Sequence, residues 1–465
     1  MGVIVESDVW EPNPALHLFF FISCCLSIYY LPNTTRTSAV FDHAPSSSFI
    51  RFHRNFLLLF SLSSVMEGLL AVFGEYDLVY HGVCREQMVI SLCIGYAASL
   101  FVGTFLGMLS DLIGQRKVCL LFCLLHLFFA IWRMVTGHPS IWLASICLSL
   151  ASTIFFFNFE IWMVVEHDKL EQRQDSVNDM FWLMTFLESA SFIGSQVVGN
   201  WLIGGHEKTS LLAPSSAVVI MAFSALAYVS RGWKEDPKSI ILKDYQTKFR
   251  TYILGDKRVW LLSWTQATIH FSVAVFWFIW ALTIVADGRE VFLGLIYPCL
   301  LGAKMLGSTA FSWFFSVPLS LRTEECLVYA CIIMGFVTSI VAFDYQDIEI
   351  LVMLFCIFHV CVGLVLPSLA RLRTMHVSVY LLVAWKIRVL GIIHIFPDKI
   401  NAIEVLLVYV ELLDNVLMDC MRGFYQNIEN STIIAMAALG LFSAAGCMYM
   451  LKRLGKQPHQ SWHKL

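Results

Sequence analysis

The sequence predicts an all-α polytopic membrane protein, built as two six-helix bundles with one extra transmembrane helix at the amino terminus. Three observations carry that expectation. Of 465 residues, 58% are hydrophobic and only 14% charged, with a mean hydropathy of +0.72, whereas soluble domains carry roughly 25% charged residues. Mostly apolar runs of about 18 residues or more, the length that crosses a bilayer core as a helix, recur along the chain. A long basic loop, 232–257, punctuated by Gly232, Pro237 and Gly255, divides those runs into two sets of similar length.

The first run, 14–31, follows Glu6, Asp8 and Glu11 without any Lys or Arg. It lacks the basic leader of a cleaved signal and reads as an uncleaved anchor, which with its loop forms a segment 1–54. The amino-terminal bundle, 55–231, takes spans at 55–74, 88–109, 117–135, 141–164, 181–204 and 213–230. The carboxy-terminal bundle, 258–451, takes spans at 259–285, 290–317, 326–343, 348–370 and 431–451, and the atypical stretch 376–426 has to supply the remaining crossing. A tail, 452–465, follows.

Charge distribution orients this plan. With the loop around Asp111 on the cytosolic side, the inside loops hold 22 Lys and Arg and the outside loops four, namely Arg85, Arg133, Lys208 and Arg289. That bias is the positive-inside pattern, and it puts the amino terminus outside. The sequon at Asn33 falls inside and the one at Asn430 lies close to a span, so neither is expected to carry glycan. A net charge of −3 without a basic stripe outside the loops excludes nucleic acid as a partner and leaves the lipid bilayer. Eleven of the 14 cysteines lie in apolar runs and read as small buried hydrophobes. No metal-binding, phosphate-cradling or Cys-x-x-Cys pattern occurs, so no cofactor or metal is expected and the chain does not read as an enzyme.

The most informative short motif is Gly107-Met-Leu-Ser-Asp111-Leu-Ile-Gly114-Gln-Arg116-Lys117, placed between two spans. An Asp at one helix end and an Arg-Lys pair just past a turn glycine can pair across a sharp loop and latch two helices. The spacing resembles the gate loop between the second and third helices of the major facilitator superfamily. Beside it stand Phe159-Glu160-Ile161-Trp162 with Glu166-His167, Gly255-Asp256-Lys257-Arg258-Val259-Trp260, Gly294 with Gly307-Ser308, and Gly363 through Pro367-Ser368 with Arg371 and Arg373. Together these motifs resemble the molybdate-anion transporter family of eukaryotic facilitators, in a plant-like version. The resemblance covers roughly residues 1–375 and 427–465; between His376 and Gln426 the chain departs from the family pattern, with Trp385-Lys-Ile-Arg388 and Pro397-Asp-Lys399 interrupting the apolar run. It implies a secondary active transporter that takes up molybdate, a tetrahedral oxyanion, across the plasma membrane. Carriage of another anion such as sulfate, or a non-transporting receptor or scaffold role, stays open beside it.

Ionisable side chains inside spans are expensive and are therefore candidates for function: Glu67, Glu160, Glu188, His270, Lys304 and His359. Glu160, with Asn158 and Trp162 nearby, is expected either to take up a coupling proton or to lock two helices through an ion pair, the two readings standing even. Lys304, about 14 residues and roughly 20 Å into its helix, is the positive group for an anion or the partner of a carboxylate such as Glu188. Glu188, Ser191 and Ser195 share a helix face. Their hydroxyls read as oxyanion donors, or more readily as ordinary small-residue packing.

Overall fold

The computed structural model describes residues 9–30, 47–80, 113–136, 140–169, 174–204, 212–232, 257–285, 289–315, 322–343, 347–376 and 430–455, with scattered helical positions between 87 and 110. These residues form eleven named helices. They are α1 (Pro14–Tyr29), α2 (Ser47–Tyr80), α3 (Gln115–Val135), α4 (Ile141–Lys169), α5 (Gln174–Gly204) and α6 (Leu212–Gly232). After the central loop come α7 (Lys257–Ile284), α8 (Leu293–Phe315), α9 (Thr323–Ala342), α10 (Ile348–His376) and α11 (Asn430–Gly455). Among the described residues the only bridge of β type joins Trp10 to Val291. Among the described residues eight helices are long and apolar enough to cross a membrane, as the all-α, multi-pass expectation requires. The predicted span 88–109 is described only at scattered positions, and the 376–426 stretch and most of the 232–257 loop lie outside the described residues.

Several helices overrun the apolar windows that announced them. α2 begins at Ser47, through Arg51, His53 and Arg54, and α5 begins at Gln174, ahead of its apolar stretch. Hydropathy marks the part of a helix that meets hydrocarbon, whereas the i→i−4 hydrogen bonds continue for as long as the backbone has no better partner. α1 is the short one. Its 16 residues start at Pro14 after Asn13, whose side chain accepts a hydrogen bond from the Ala15 amide at 2.9 Å.

The chain divides into two compact units. One comprises residues 34–263 and 370–427, and so holds α2 to α6. Within it α2 packs on α5, and α3 packs on α4 and α6. A ladder of aromatic rings fills the middle: Phe60 stacks on Phe155 with centroids 5.4 Å apart, and Phe122 meets Phe159 edge-on at 5.7 Å. Such pairs add specific geometry to apolar burial, which helices in lipid need because lipid tails are as apolar as leucine. A second cluster, Leu69, Phe129, Ala130 and Val218, joins α2, α3 and α6.

The other unit comprises residues 1–33, 264–369 and 428–465. Its first helix runs alongside α8 in register and in the same direction. His17 Nε2 lies 3.0 Å from the Leu295 carbonyl, Ser27 Oγ donates to Thr309 at 2.9 Å, and the Trp313 indole donates to the Ser27 carbonyl at 3.2 Å. Ahead of both helices, the Trp10 amide donates to the Glu290 carbonyl at 2.9 Å. α9 and α11 pack antiparallel, and Lys452 in the last turn of α11 pairs with Glu325 in the first turn of α9 at 2.7 Å. Each charge also suits its own helix end, since the dipole favours anions at the start and cations at the end.

Candidate gate and coupling sites

The gate loop is built around a glycine conformation. Gly114 sits at φ 106° and ψ 146°, in the region where a side chain is strained, and its amide donates to the Ser110 carbonyl at 2.9 Å. The chain therefore turns sharply there and re-enters helix at Gln115. Arg116 reaches across to donate to the Ser230 carbonyl at 2.7 Å, in the last turn of α6, where the negative end of the helix dipole lies. Lys117 is exposed. Gly107 and Asp111 lie outside the described residues.

Asn158 ties α4 to this loop. Fully buried, it donates from Nδ2 to the Gln115 carbonyl at 3.1 Å. Two residues on, Glu160 receives a fork of hydrogen bonds from Arg373: Nε to Oε1 at 3.1 Å, and Nη2 to Oε1 and Oε2 at 2.6 and 2.7 Å. The side chains are 15% and 5% exposed. A charge-assisted pair of this kind fixes the orientation of both groups. The geometry favours the ion-pair reading of Glu160 over proton uptake, because Arg373 already engages both carboxylate oxygens. Trp162 is buried, edge-on to Phe56 at 6.0 Å. At the same end of the unit the His53 and His167 rings stack at 6.3 Å, and burial followed by the charge of His167 lowers the His53 pKa to about 4.

The hydroxyl stripe on α5 faces α2. Ser195 Oγ lies 3.1 Å from the Val65 carbonyl and 2.7 Å from the Ser191 carbonyl, and Ser191 donates to the Ser61 carbonyl at 3.5 Å. A hydroxyl has one hydrogen to give, so these two serve the helix seam and leave little to offer an oxyanion. Glu188 and Lys304 are both partly buried, each in a different unit. In the unit that holds Lys304, a small cleft lies among α7, α9, α10 and α11. Its hydroxyls, Ser272, Thr283 and Thr338, all donate to backbone carbonyls within the helices, which makes the cleft apolar in effect.

Glu67 lies in a different setting. Its Oε2 accepts from Ser152 Oγ at 2.7 Å, and its Oε1 faces His126 Nε2 at 3.4 Å. The structure thus joins Glu67, His126 and Ser152 from α2, α3 and α4. Reasoning from sequence missed His126 and Ser152, and it placed Arg373 among the family motifs and the inside-loop charges but not as a partner of Glu160. A histidine among apolar residues of the 117–135 span was a signal available for the first. The Glu160–Arg373 contact spans 213 residues, and nothing local announces it.

Comparison with known proteins adds a second line. The family whose profile matches residues 17–356 is described as sugar transporters with 12 transmembrane segments. Relatives named molybdate-anion transporter from Xenopus tropicalis and Danio rerio are 26% identical over 315 residues and 24% identical over 332 residues. The matches cover 63% and 65% of this chain, and 66% and 68% of the relatives. The chain thus spans about two thirds of the length of the relatives it matches. These names agree with the resemblance carried by the motifs, and a transporter family agrees with the expectation of a non-enzyme. The chain belongs to this family of major facilitator transporters with 12 transmembrane segments.

Proposed function

We propose that the chain is a secondary carrier that brings molybdate into the cell across the plasma membrane. The observation that carries the reading is the conjunction of relatives named molybdate-anion transporter with a gate loop that turns at Gly114, donates from Arg116 to the Ser230 carbonyl of α6 and accepts at the Gln115 carbonyl from Asn158 of α4. In this reading Gly107, Asp111, Gly114, Arg116 and Lys117 form a latch that opens and closes during the cycle. Lys304 is the cation for the oxyanion, while Asn158, Glu160 and Trp162 hold the helices that carry the latch.

The test is uptake of molybdate by cells expressing the chain, with and without excess sulfate. Molybdate accumulation that sulfate does not suppress is expected. Suppression by the excess sulfate would move the reading to a general carrier of tetrahedral dianions, and a surface-expressed chain with no flux of either anion would turn it into a receptor or scaffold.

A further inference from the structure

We infer that Glu67 and His126 form a proton-binding dyad inside the amino-terminal unit and that its proton is the coupling ion of the carrier, a step that rests on the transport reading above. The argument begins with the imidazole. His126 Nδ1 lies 3.1 Å from the Phe122 carbonyl, and a carbonyl only accepts, so Nδ1 carries a hydrogen. Nε2 then faces Glu67 Oε1 at 3.4 Å, and both atoms are buried without another hydrogen-bond partner. If Nε2 presented a lone pair to an ionised carboxylate, two acceptors would oppose each other in an apolar surround. One proton between them removes the conflict, either on the carboxyl as Oε1–H···Nε2 or on the ring as imidazolium against carboxylate.

The surroundings suit one exchangeable proton. Ser152 donates to the other oxygen of Glu67 and so holds the carboxyl in place in either state. On α5, which packs on α2, Ser191 and Ser195 turn to the Ser61 and Val65 carbonyls and Glu188 is the titratable group on the same face, and from α6 the contact near Leu69 is the apolar Val218. The Phe122 ring lies 4.4 Å from the imidazole. Charge balances simply: the empty dyad carries one negative charge, a proton from water on one side neutralises it, and release to water on the other side restores it. Nothing is oxidised or reduced. Because the two groups stand on α2 and α3, loading the proton ties these helices together and unloading it loosens them. A ligand that acts differently on two arrangements is what coupling requires.

Two measurements test this on the full chain. The first uses purified protein with no substrate: infrared difference spectra across a pH titration should show a carboxyl or imidazolium band that vanishes in Glu67→Gln and moves in His126→Gln. The second uses proteoliposomes: molybdate entry should acidify the lumen in the wild type, and Glu67→Gln should lose this proton uptake and flatten the pH profile of flux, while Glu67→Asp restores part of both. Variants are compared only where they elute as folded protein. Absence of any titrating band that depends on Glu67 overturns the dyad whatever the substrate. A band without proton movement during molybdate flux overturns the coupling role. If the wild type carries no molybdate, the proposed function fails by itself and the infrared result still decides the proton site.

Discussion

Arg373 and Glu160 form a mostly buried ion pair in which the loss of one partner is costly. Arg373→Ala takes three hydrogen bonds and a countercharge away from a carboxylate that is only 15% exposed. Breaking one side of such a pair costs on the order of 3–5 kcal/mol, whereas replacing both partners with apolar groups is often close to neutral. The expected order of thermal stability in detergent is therefore wild type, then Glu160→Leu with Arg373→Leu together, then Arg373→Ala alone. A double variant no more stable than the single one would show that the pair contributes more than it costs to bury. At this scale the sequence was half legible. Glu160 stood out because a carboxylate within a span is conspicuous. Arg373 was visible as part of a motif, but its pairing with Glu160 was not, because an arginine at the end of a span looks like any inside-loop cation and the contact is made 213 residues away along the chain. The α5 serines were recognisable as a polar face, but which backbone carbonyls would take up their hydrogens depends on how closely α2 approaches.

That closeness is an element-scale property, and two glycines display it where α8 meets α10. A Cβ on Gly307 would lie 1.9 Å from the Val360 carbonyl oxygen, and one on Gly363 would lie 2.0 Å from that of Lys304. Here backbone meets backbone, so no flexible side chain can give way and the helices themselves have to part. Gly307→Ala and Gly363→Ala are each expected to lower stability by about 1–3 kcal/mol or more, as overpacking does in a close-packed core. Gly440→Ala serves as the contrast, since its nearest neighbour would stand at 3.7 Å, an ordinary contact. Thermal unfolding of the three purified variants checks the ranking, and equal melting would show that the α8–α10 crossing relaxes freely. The helices were legible as apolar runs because length and hydropathy suffice for that. Their overruns and their crossing points were not, since the first lie outside the hydrocarbon and the second depend on which faces meet.

At the scale of the whole molecule, orientation follows from two helix pairs inside one unit. α1 runs parallel to α8, so the two helices start at the same membrane face. The link between α8 and α9 covers only residues 316–322, and seven residues reach at most about 25 Å, short of the roughly 30 Å hydrocarbon core. α9 therefore starts where α8 ends. Glu325 at that start pairs with Lys452 at the end of α11, which places the end of α11 on the face opposite the start of α1. This agrees with the count of Lys and Arg in the loops, an independent signal that reads charge where the helix pairs read contact. Epitope tags at the two ends should accordingly differ in intact cells: one ahead of residue 14 stains without permeabilisation, and one after residue 455 stains only with it. Both tags on one face would break either the parallel α1–α8 packing or the α9–α11 pairing, and removal of residues 1–30 separates these. If α1 is an integral part of its unit, the deletion lowers folded yield, because α8 then exposes the surface at Gly302 against which Phe20 packs and leaves Thr309 and Trp313 without Ser27.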